Sequence, residues 1–452
     1  MSKNVKEGTN ASTIATPGVA LDRTLLLMRD YLKDDTPSDC LVDALLSTSV
    51  VFVANSESLR SEPAQHALVA SILLMARSGA RIYLDCPNVP LIGNHSPLIG
   101  DRLLDGIVDV CSDIVPGCFA TVGWPAEQPD LAVFVGTSPF KGCASQMIRL
   151  GGGIWVGSIA PSVASGSLWP SRRSPFGALA AAGLAATEAF KSSMRKLAQH
   201  ATHPQIFAEF FAAVSDASVS LAPPGTPVPP SNLGAFDFVS GVAITQSALY
   251  AISRIPDVRG LGRVIEHDRN DLTNLNRNAF LRRSRVGFLK AEDLVSLPWG
   301  EIVLRAAPYR YEDSTKERFL PFAPSVLVGV DHIPTRWAVQ REQPLWLGVG
   351  ATNHYMSVAS YHTQSLACVG CLHPGDDQAN GPIPTVSFVS HWAGLWLAAM
   401  FCRHLTGSIK PNEQSVFLSL LRPDSPAAVW MGQVPRRLDC PVKLSGGSRN
   451  AA

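Results

Sequence analysis

Residues 262–294 read GRVIEHDRNDLTNLNRNAFLRRSRVGFLKAEDL, and the reading of the chain turns on this run. It opens as a short apolar strand, Arg263 to Glu266, with Glu266 and Asp268 at the strand's carboxyl end. A polar turn dense in Asn and Arg follows from Asn270 to Arg277, and Lys290 then opens a helical stretch. In an open α/β sheet, ligands bind beyond the carboxyl ends of the strands. An acid there can take the two hydroxyls of a ribose, Arg277 and Lys290 can take phosphates, and Asn side chains can orient both. A solvated turn with scattered charges is the plainer account of the same residues.

Around this run, apolar strands alternate with helical stretches, which predicts parallel, doubly wound sheets and an α/β fold. Strands are expected at Ser49–Ala54, Arg81–Asp85, Asp130–Gly136 and Gly153–Gly157, with helices over 64–76 and 175–190 and a further helical segment from Pro204 to Val219. The stretch APPGTPVPPS, 222–231, is stiff and reads as a linker. Beyond it the rhythm repeats. Phe236–Ser240 and Arg263–Asp268 are strands around a helix from Ala243 to Ile255. Ser325–Asp331 then matches 130–136, Pro344–Gly350 matches 153–157, and the helix from Ser387 to Phe401 matches the one ending at Phe190. This predicts an internal duplication into two Rossmann-like domains. The expected division is an arm at 1–20, a first domain at 21–219, a linker at 220–234 and a second domain at 235–452. The copies differ: Gly136 stands where the second has Asp331, and the first has no Asn-Leu-Asn-Arg run.

Composition bounds the rest. At 452 residues, 46% hydrophobic and 17% charged, the chain can bury sizeable cores. A net charge of +1 points to neither nucleic acid nor an anionic membrane as the main partner. No uncharged apolar run reaches the roughly 18 residues of a membrane span, and the first residues, MSKNVKEGTNASTIATPG, lack the apolar core of a signal peptide. Nine scattered cysteines read as reduced thiols in a cytoplasmic protein.

The run Thr273-Asn274-Leu275-Asn276-Arg277-Asn278, followed by Gly287-Phe288-Leu289-Lys290, resembles the nucleotide site of the ThiF/MoeB and ubiquitin-activating enzyme superfamily. There an acid-x-Asp at a strand end runs into Ser-Asn-Leu-Asn-Arg-Gln and then Gly-x-x-Lys. The resemblance is clear over 235–410 and weak over 45–195. It implies ATP and Mg2+ as cofactors. Glu266 would stand at the ribose, where the family has Asp, with Asp268 as the second acid. Asn274, Arg277 and Lys290 would serve the phosphates, and Asp331 with Arg336 the metal and phosphates, His332 replacing the family's Asn. The glycine loop departs from the family pattern: Gly241 is kept, but Ala243 and Gln246 replace the other two glycines, and Gln246 is expected to add bulk where the helix packs on the strand.

The resemblance also implies an inactive first domain fused to an active adenylation domain with a crossover loop at about 351–386. In that loop lie Cys368 and Cys371. Family members often pair such a Cys-x-x-Cys with a later one to bind a structural zinc. Here the later place holds Cys440 and, at its fourth position, Lys443. Either Cys368, Cys371 and Cys440 hold zinc, with His373 or another His completing the four ligands a tetrahedral site needs, or Cys371 or Cys368 is a free nucleophile that forms a thioester, with His373 beside Cys371. Arg60 is a candidate for the arginine that the first half contributes to the triphosphate. His354 and His362 are expected at the surface, and Trp392 and Trp396 in a core or between domains.

The implied function is activation of a ubiquitin-like protein: adenylation of its C-terminal carboxylate, a thioester, and transfer to a separate conjugating enzyme, as in bacterial conjugation systems associated with defence against phage. The alternatives are an adenylyltransferase of a sulfur-carrier protein, or a scaffold that only docks a ubiquitin-like tail.

Overall fold

The computed structural model describes residues 15–139, 142–161, 169, 173–312, 314–375, 381–425 and 428–442, so Lys443 and most of the expected N-terminal arm lie outside the described residues. The first half contains α1 (Pro17–Ala20), α2 (Asp22–Arg29), α3 (Ser38–Leu46), β1 (Ser49–Ala54), α4 (Glu62–Arg77), β2 (Arg81–Asp85), α5 (Leu103–Ser112), β3 (Ala120–Val122), β4 (Leu131–Val135), β5 (Gln146–Gly152), β6 (Val156–Pro161), α6 (Phe176–Arg195), α7 (Pro204–Phe210) and β7 (Ala217–Ser220). The second contains β8 (Asn232–Val239), α8 (Ala243–Ile252), β9 (Arg259–Ile265), α9 (Lys290–Val295), β10 (Glu301–Ala307), β11 (Ser325–Val328), α10 (Ile333–Arg341), β12 (Trp346–Asn353), β13 (Met356–His362), α11 (Val369–Leu372), α12 (Ser387–Leu405), β14 (Ser415–Ser419) and β15 (Val429–Gly432).

Each half builds one sheet, and the two sheets have the same plan. The orders are β3-β2-β1-β4-β5-β6-β7 and β10-β9-β8-β11-β12-β13-β14-β15. In both, the first five strands of the order are parallel and the rest are added antiparallel. The chain is α/β, with two Rossmann-like, doubly wound units. Strands β1 and β4 read as unbroken apolar runs because both faces are covered. Alternate residues part accordingly: Val50 and Phe52 join the main core, while Val51 and Val53 pack with Ala132 and Phe134 on the opposite face. In the second sheet, Leu327 faces the main core and Val326 and Val328 face a smaller cluster with Val339 of α10.

The main core is shared. α4 and α6 of the first half and α8 and α12 of the second pack together between the sheets. A Cβ on Gly183 of α6 would lie 2.7 Å from the indole of Trp392 on α12, so the two helices touch at a residue with no side chain. Trp392 is wholly buried, as expected for a residue between domains. Polar contacts cross the same seam: Ser387 Oγ donates to the Leu74 carbonyl at 2.7 Å, and His391 Nε2 meets the Leu179 carbonyl at 3.0 Å.

Several expectations need correction. Residues 153–155 form a turn, and the strand matching β12 is β5, Gln146–Gly152. The polar Gln146 and Arg149 hid it. Both are buried with partners: Gln146 Nε2 donates to Glu188 Oε2 at 3.0 Å, and Arg149 donates to the Gly136 and Ser138 carbonyls. The helix expected from Pro204 to Val219 ends at Phe210, and Ala217–Ser220 forms β7, which pairs antiparallel with β6 and completes the sheet. Residues 17–20, at the end of the expected arm, form the helical turn α1, with Ala20 fully buried. His362 is also fully buried, with Nδ1 2.8 Å from the Ala367 carbonyl. Among the described residues, no helix is long and apolar enough to cross a membrane.

Because Gly183 has no room for a side chain, Gly183→Val is expected to destabilise the protein by roughly 1–3 kcal/mol. A lowered calorimetric midpoint, with both halves still melting together, is the expected result.

Candidate functional site

In the second sheet, the chain runs outward from β8 to β9 and β10 and then crosses back to β11 on the other side of β8, so the crevice beyond β8 and β11 is a topological switch point, where doubly wound sheets bind ligands. A cavity of about 310 Å³ opens there. The strand ends that line it supply Ser240, Glu266, Asp268 and Asp331, and the segment after β10 adds Tyr309, Arg310 and Tyr311. Three expected site residues, Glu266, Asp268 and Asp331, thus face one space.

Glu266 is buried and organises the turn around it. One carboxylate oxygen accepts the Gly241 N–H at 2.9 Å, and the other accepts the Asp268 N–H at 2.9 Å. The Glu266 side chain reaches back to the glycine loop and forward to its own strand end. Ser240, just before Gly241, sits at φ 119°, which L side chains rarely adopt. Gln246 does not wedge the helix away from the strand. Its amide donates to the Gly241 carbonyl at 2.8 Å and accepts the Phe280 N–H at 3.1 Å, joining the glycine loop to the Asn-rich loop. The close approaches to α8 come from Gly329, where a Cβ would lie 2.9 Å from Thr245 Cγ2, and from Gly394, where it would lie 2.4 Å from the Ile244 carbonyl.

The Asn-rich loop holds its own shape. Asn274 Oδ1 accepts the Asp271 N–H at 3.1 Å in a capping box, so the residue expected to orient phosphates is engaged with backbone. Asn276 reaches the first half, donating to Thr24 Oγ1 at 2.9 Å. Arg277 donates to the Thr273 carbonyl and to Asn276 Oδ1. Burial lowers its pKa to about 10, as does the Arg23 charge nearby, while Asp331 and Asp22 oppose the shift. Lys290, buried, pairs with Asp268 at 3.2 Å. Arg336 Nε donates to the Val330 carbonyl at 2.9 Å, and burial brings its pKa to about 10 against the raising effect of Asp331. Arg336 therefore braces the strand end that carries Asp331. Gly241 lies in the loop before α8 and Ala243 is the first residue of that helix, whose N-cap, Val242, makes no side-chain cap.

Arg23 is the residue the sequence reading missed. It lies on α2 of the first half, half-buried and electrostatically coupled to Arg277. Arg60, the candidate named from sequence, lies instead in the turn after β1 of the first sheet. No motif marks Arg23; only the packing of α2 on the second half brings it near. Ser240, Tyr309 and Tyr311 carry no motif either, and the ends of β8 and β10 in the second sheet bring them to the cavity.

The switch point of the first half is built differently. Gly136, set against Asp331 in the sequence comparison, directly follows β4 as Gly329 directly follows β11, and a Cβ on Gly136 would lie 2.2 Å from Ser58 Oγ. Ser58 Oγ accepts the Thr137 N–H at 3.1 Å, and the Arg149 guanidinium holds the Gly136 and Ser138 carbonyls. The half that lacks the acid has its crevice filled by its own side chains.

Cys368, Cys371 and Cys440 do come together. Cys368 Sγ lies 3.2 Å from Cys440 Sγ and 3.7 Å from Cys371 Sγ. Burial raises the Cys368 pKa and pushes Cys440 up to about 12. Cys368 caps the four-residue α11, whereas Cys371 lies in its final turn, away from the positive end of the helix. His373 is not a partner for Cys371: its Nε2 lies 3.3 Å from Arg336 Nη1, and burial with the Arg336 charge lowers its pKa to about 3. Three mutually facing thiols suit a soft metal ion. Among the described residues they supply three of the four ligands that a tetrahedral zinc site would need.

No known family model matches the chain. The protein y4jF of Sinorhizobium fredii (strain NBRC 101917 / NGR234), described as uncharacterized, is 26% identical over 147 residues, which are 32% of this chain and 28% of that protein. The chain thus spans under a third of that relative. Among solved structures, Escherichia coli MccB with ATP is similar with a TM-score of 0.38 and 15% identity, over 57% of this chain and 84% of that one. MccB with MccA gives 0.36 and 16%, over 46% and 66% of the two chains. PaaA gives 0.34 and 12%, over 44% and 64%.

The raised thiols make a prediction. With iodoacetamide at pH 7.5, the exposed Cys143 should be alkylated at least about tenfold faster than Cys368 and Cys440. Peptide mapping by mass spectrometry checks the order.

Proposed function

We propose that the second half is an ATP-dependent adenylating enzyme acting on the C-terminal carboxylate of a peptide or ubiquitin-like protein. The first half would be its inactive structural twin. The division at 21–219 and 235–452 belongs to this proposal. The observation that carries it is the cavity at the switch point of β8 and β11, which Glu266, Asp268 and Asp331 line together.

In the proposed reaction, a carboxylate oxygen of the substrate attacks the α-phosphorus of ATP. A new P–O bond forms, the bond to the bridging oxygen breaks, and pyrophosphate leaves with that electron pair. No proton need be moved, so the protein's task is positioning and neutralising charge. Glu266, fixed by two backbone N–H groups, would meet the ribose hydroxyls with its remaining lone pairs. Asp268 and Asp331 are exposed carboxylates on the same cavity, and oxygen donors suit Mg2+. That ion, held by these residues, would neutralise phosphate charge. Arg277 and Arg23 would stabilise the charge of the departing pyrophosphate. Arg336 would keep Asp331 in place, and Lys290 would hold Asp268.

The second step implied by the family resemblance, a thioester on Cys371 or Cys368, fits the thiols less well. A nucleophilic cysteine needs a lowered pKa and a free face. Cys368 has a raised one and faces two other thiols. The cluster fits a structural metal better, and adenylation without an enzyme thioester is the form of the reaction favoured here.

The test is release of pyrophosphate from ATP and Mg2+ in the presence of candidate carboxyl-terminal partners. Wild-type protein is expected to release it, and Asp331→Asn to lower the rate by roughly 100-fold. Failure to release it with any partner that binds the protein would favour a docking scaffold.

A further inference from the structure

Arg77 is the last residue of α4 in the first half and is 1% exposed. Its guanidinium faces the Asn-rich loop of the second half. Nη1 donates to the Leu275 carbonyl at 2.8 Å, and Nη2 donates to the Ala279 and Leu281 carbonyls at 2.8 and 2.9 Å. These three carbonyls bracket Arg277. A buried cation without a carboxylate beside it is costly unless its donors are satisfied. Here the backbone of one loop satisfies Nη1 and Nη2, so the loop conformation and the guanidinium position depend on one another.

The ties continue along the chain. Arg282 pairs with Asp109 of α5 at 2.9 Å and donates to the Pro97 carbonyl at 2.9 Å. Ser284 N–H donates to Asp113 Oδ1 at 3.0 Å. A counterpart runs the other way: Arg254, just past α8, stacks on Tyr250 and donates to the Ser96 carbonyl at 2.7 Å in the first half. The two arginines are thus exchanged between the halves, but only Arg77 grips the loop that carries a proposed phosphate ligand.

We propose that Arg77 is a positioning residue: it acts through the 275–281 backbone to set Arg277, and so makes the site of the second half depend on the first. The proposal rests on the adenylation reading for its effect on rate, and on the hydrogen bonds alone for its effect on the loop. Lysine keeps the charge but lacks the planar fork that spans three carbonyls. Arg77→Lys and the neutral Arg77→Gln are therefore compared with Arg254→Lys, which disturbs an equally buried arginine between the halves without touching the loop.

Two measurements on the full chain decide the matter. In hydrogen–deuterium exchange, amides 274–281 should exchange at least about tenfold faster in the Arg77 variants and unchanged in Arg254→Lys. Unchanged exchange in Arg77 variants that remain folded by circular dichroism overturns the proposal. In pyrophosphate release, well below the melting midpoints, Arg77→Lys should lose about 10- to 100-fold in kcat, and Arg254→Lys should lose little. The double variant Arg77→Lys/Arg277→Lys should be no slower than Arg277→Lys alone, because both changes remove the same placed guanidinium. Multiplying losses would mean that Arg77 acts by general stability, and would overturn the proposal. If exchange speeds up as expected but wild type releases no pyrophosphate with any partner, the adenylation reading fails while the grip on the loop stands.

Discussion

The seam between the two halves is the constraint on which the rest depends. Four helices, α4, α6, α8 and α12, pack into one core, and Trp392 of the second half meets Gly183 of the first. Neither α6 nor α12 could be covered by its own sheet alone, since both are buried around most of their circumference. Joining the halves through these helices removes two large apolar surfaces from water at once. It also fixes the rotation of one half on the other. That rotation brings α2, with Arg23, and the end of α4, with Arg77, against the Asn-rich loop of the second half.

One plan repeated twice has produced one open crevice and one closed one. In the first half, Ser58 and Arg149 fill the space between the strand ends, and glycine at 136 makes room for Ser58. In the second, Asp331 stands at the same place in the strand order and faces a cavity with Glu266 and Asp268. The first half has exchanged a crevice for internal hydrogen bonds. In return it supplies the buried groups that shape the loop next door. On the proposed reading, the first half is retained because its buried groups brace the Asn-rich loop of the second half from outside.

The features legible in the sequence were those written in local pattern. Unbroken apolar strands such as 49–54, the acid at the end of β9 and the doubled rhythm all follow from short-range periodicity. The Asn-Leu-Asn-Arg run drew attention to the second half, but the cavity there is lined by Glu266, Asp268 and Asp331 and not by the run itself. Features decided by distant packing were not legible. β5 was hidden because Gln146 and Arg149 are polar, and their partners, Glu188 and the Gly136 and Ser138 carbonyls, lie elsewhere in the chain. Gln246 looked like an obstruction in a glycine loop, yet it joins two loops that sequence could not place side by side. His373 follows Cys371 closely in sequence, but the turn at the end of α11 carries its ring to Arg336. Arg23 and Arg77 carry no motif, and their proposed roles exist only because the halves meet.

The central claim is that the second switch point, and not the first, receives the nucleotide. A crystal structure of the full chain grown with Mg2+ and a non-hydrolysable ATP analogue tests it most directly. The account predicts the ribose at Glu266 and the phosphates between Asp331, Arg277 and Arg23, with Ser58 and Arg149 still closing the first crevice. Nucleotide bound at the β1 and β4 strand ends, or seated away from Glu266 and Asp331, would contradict it.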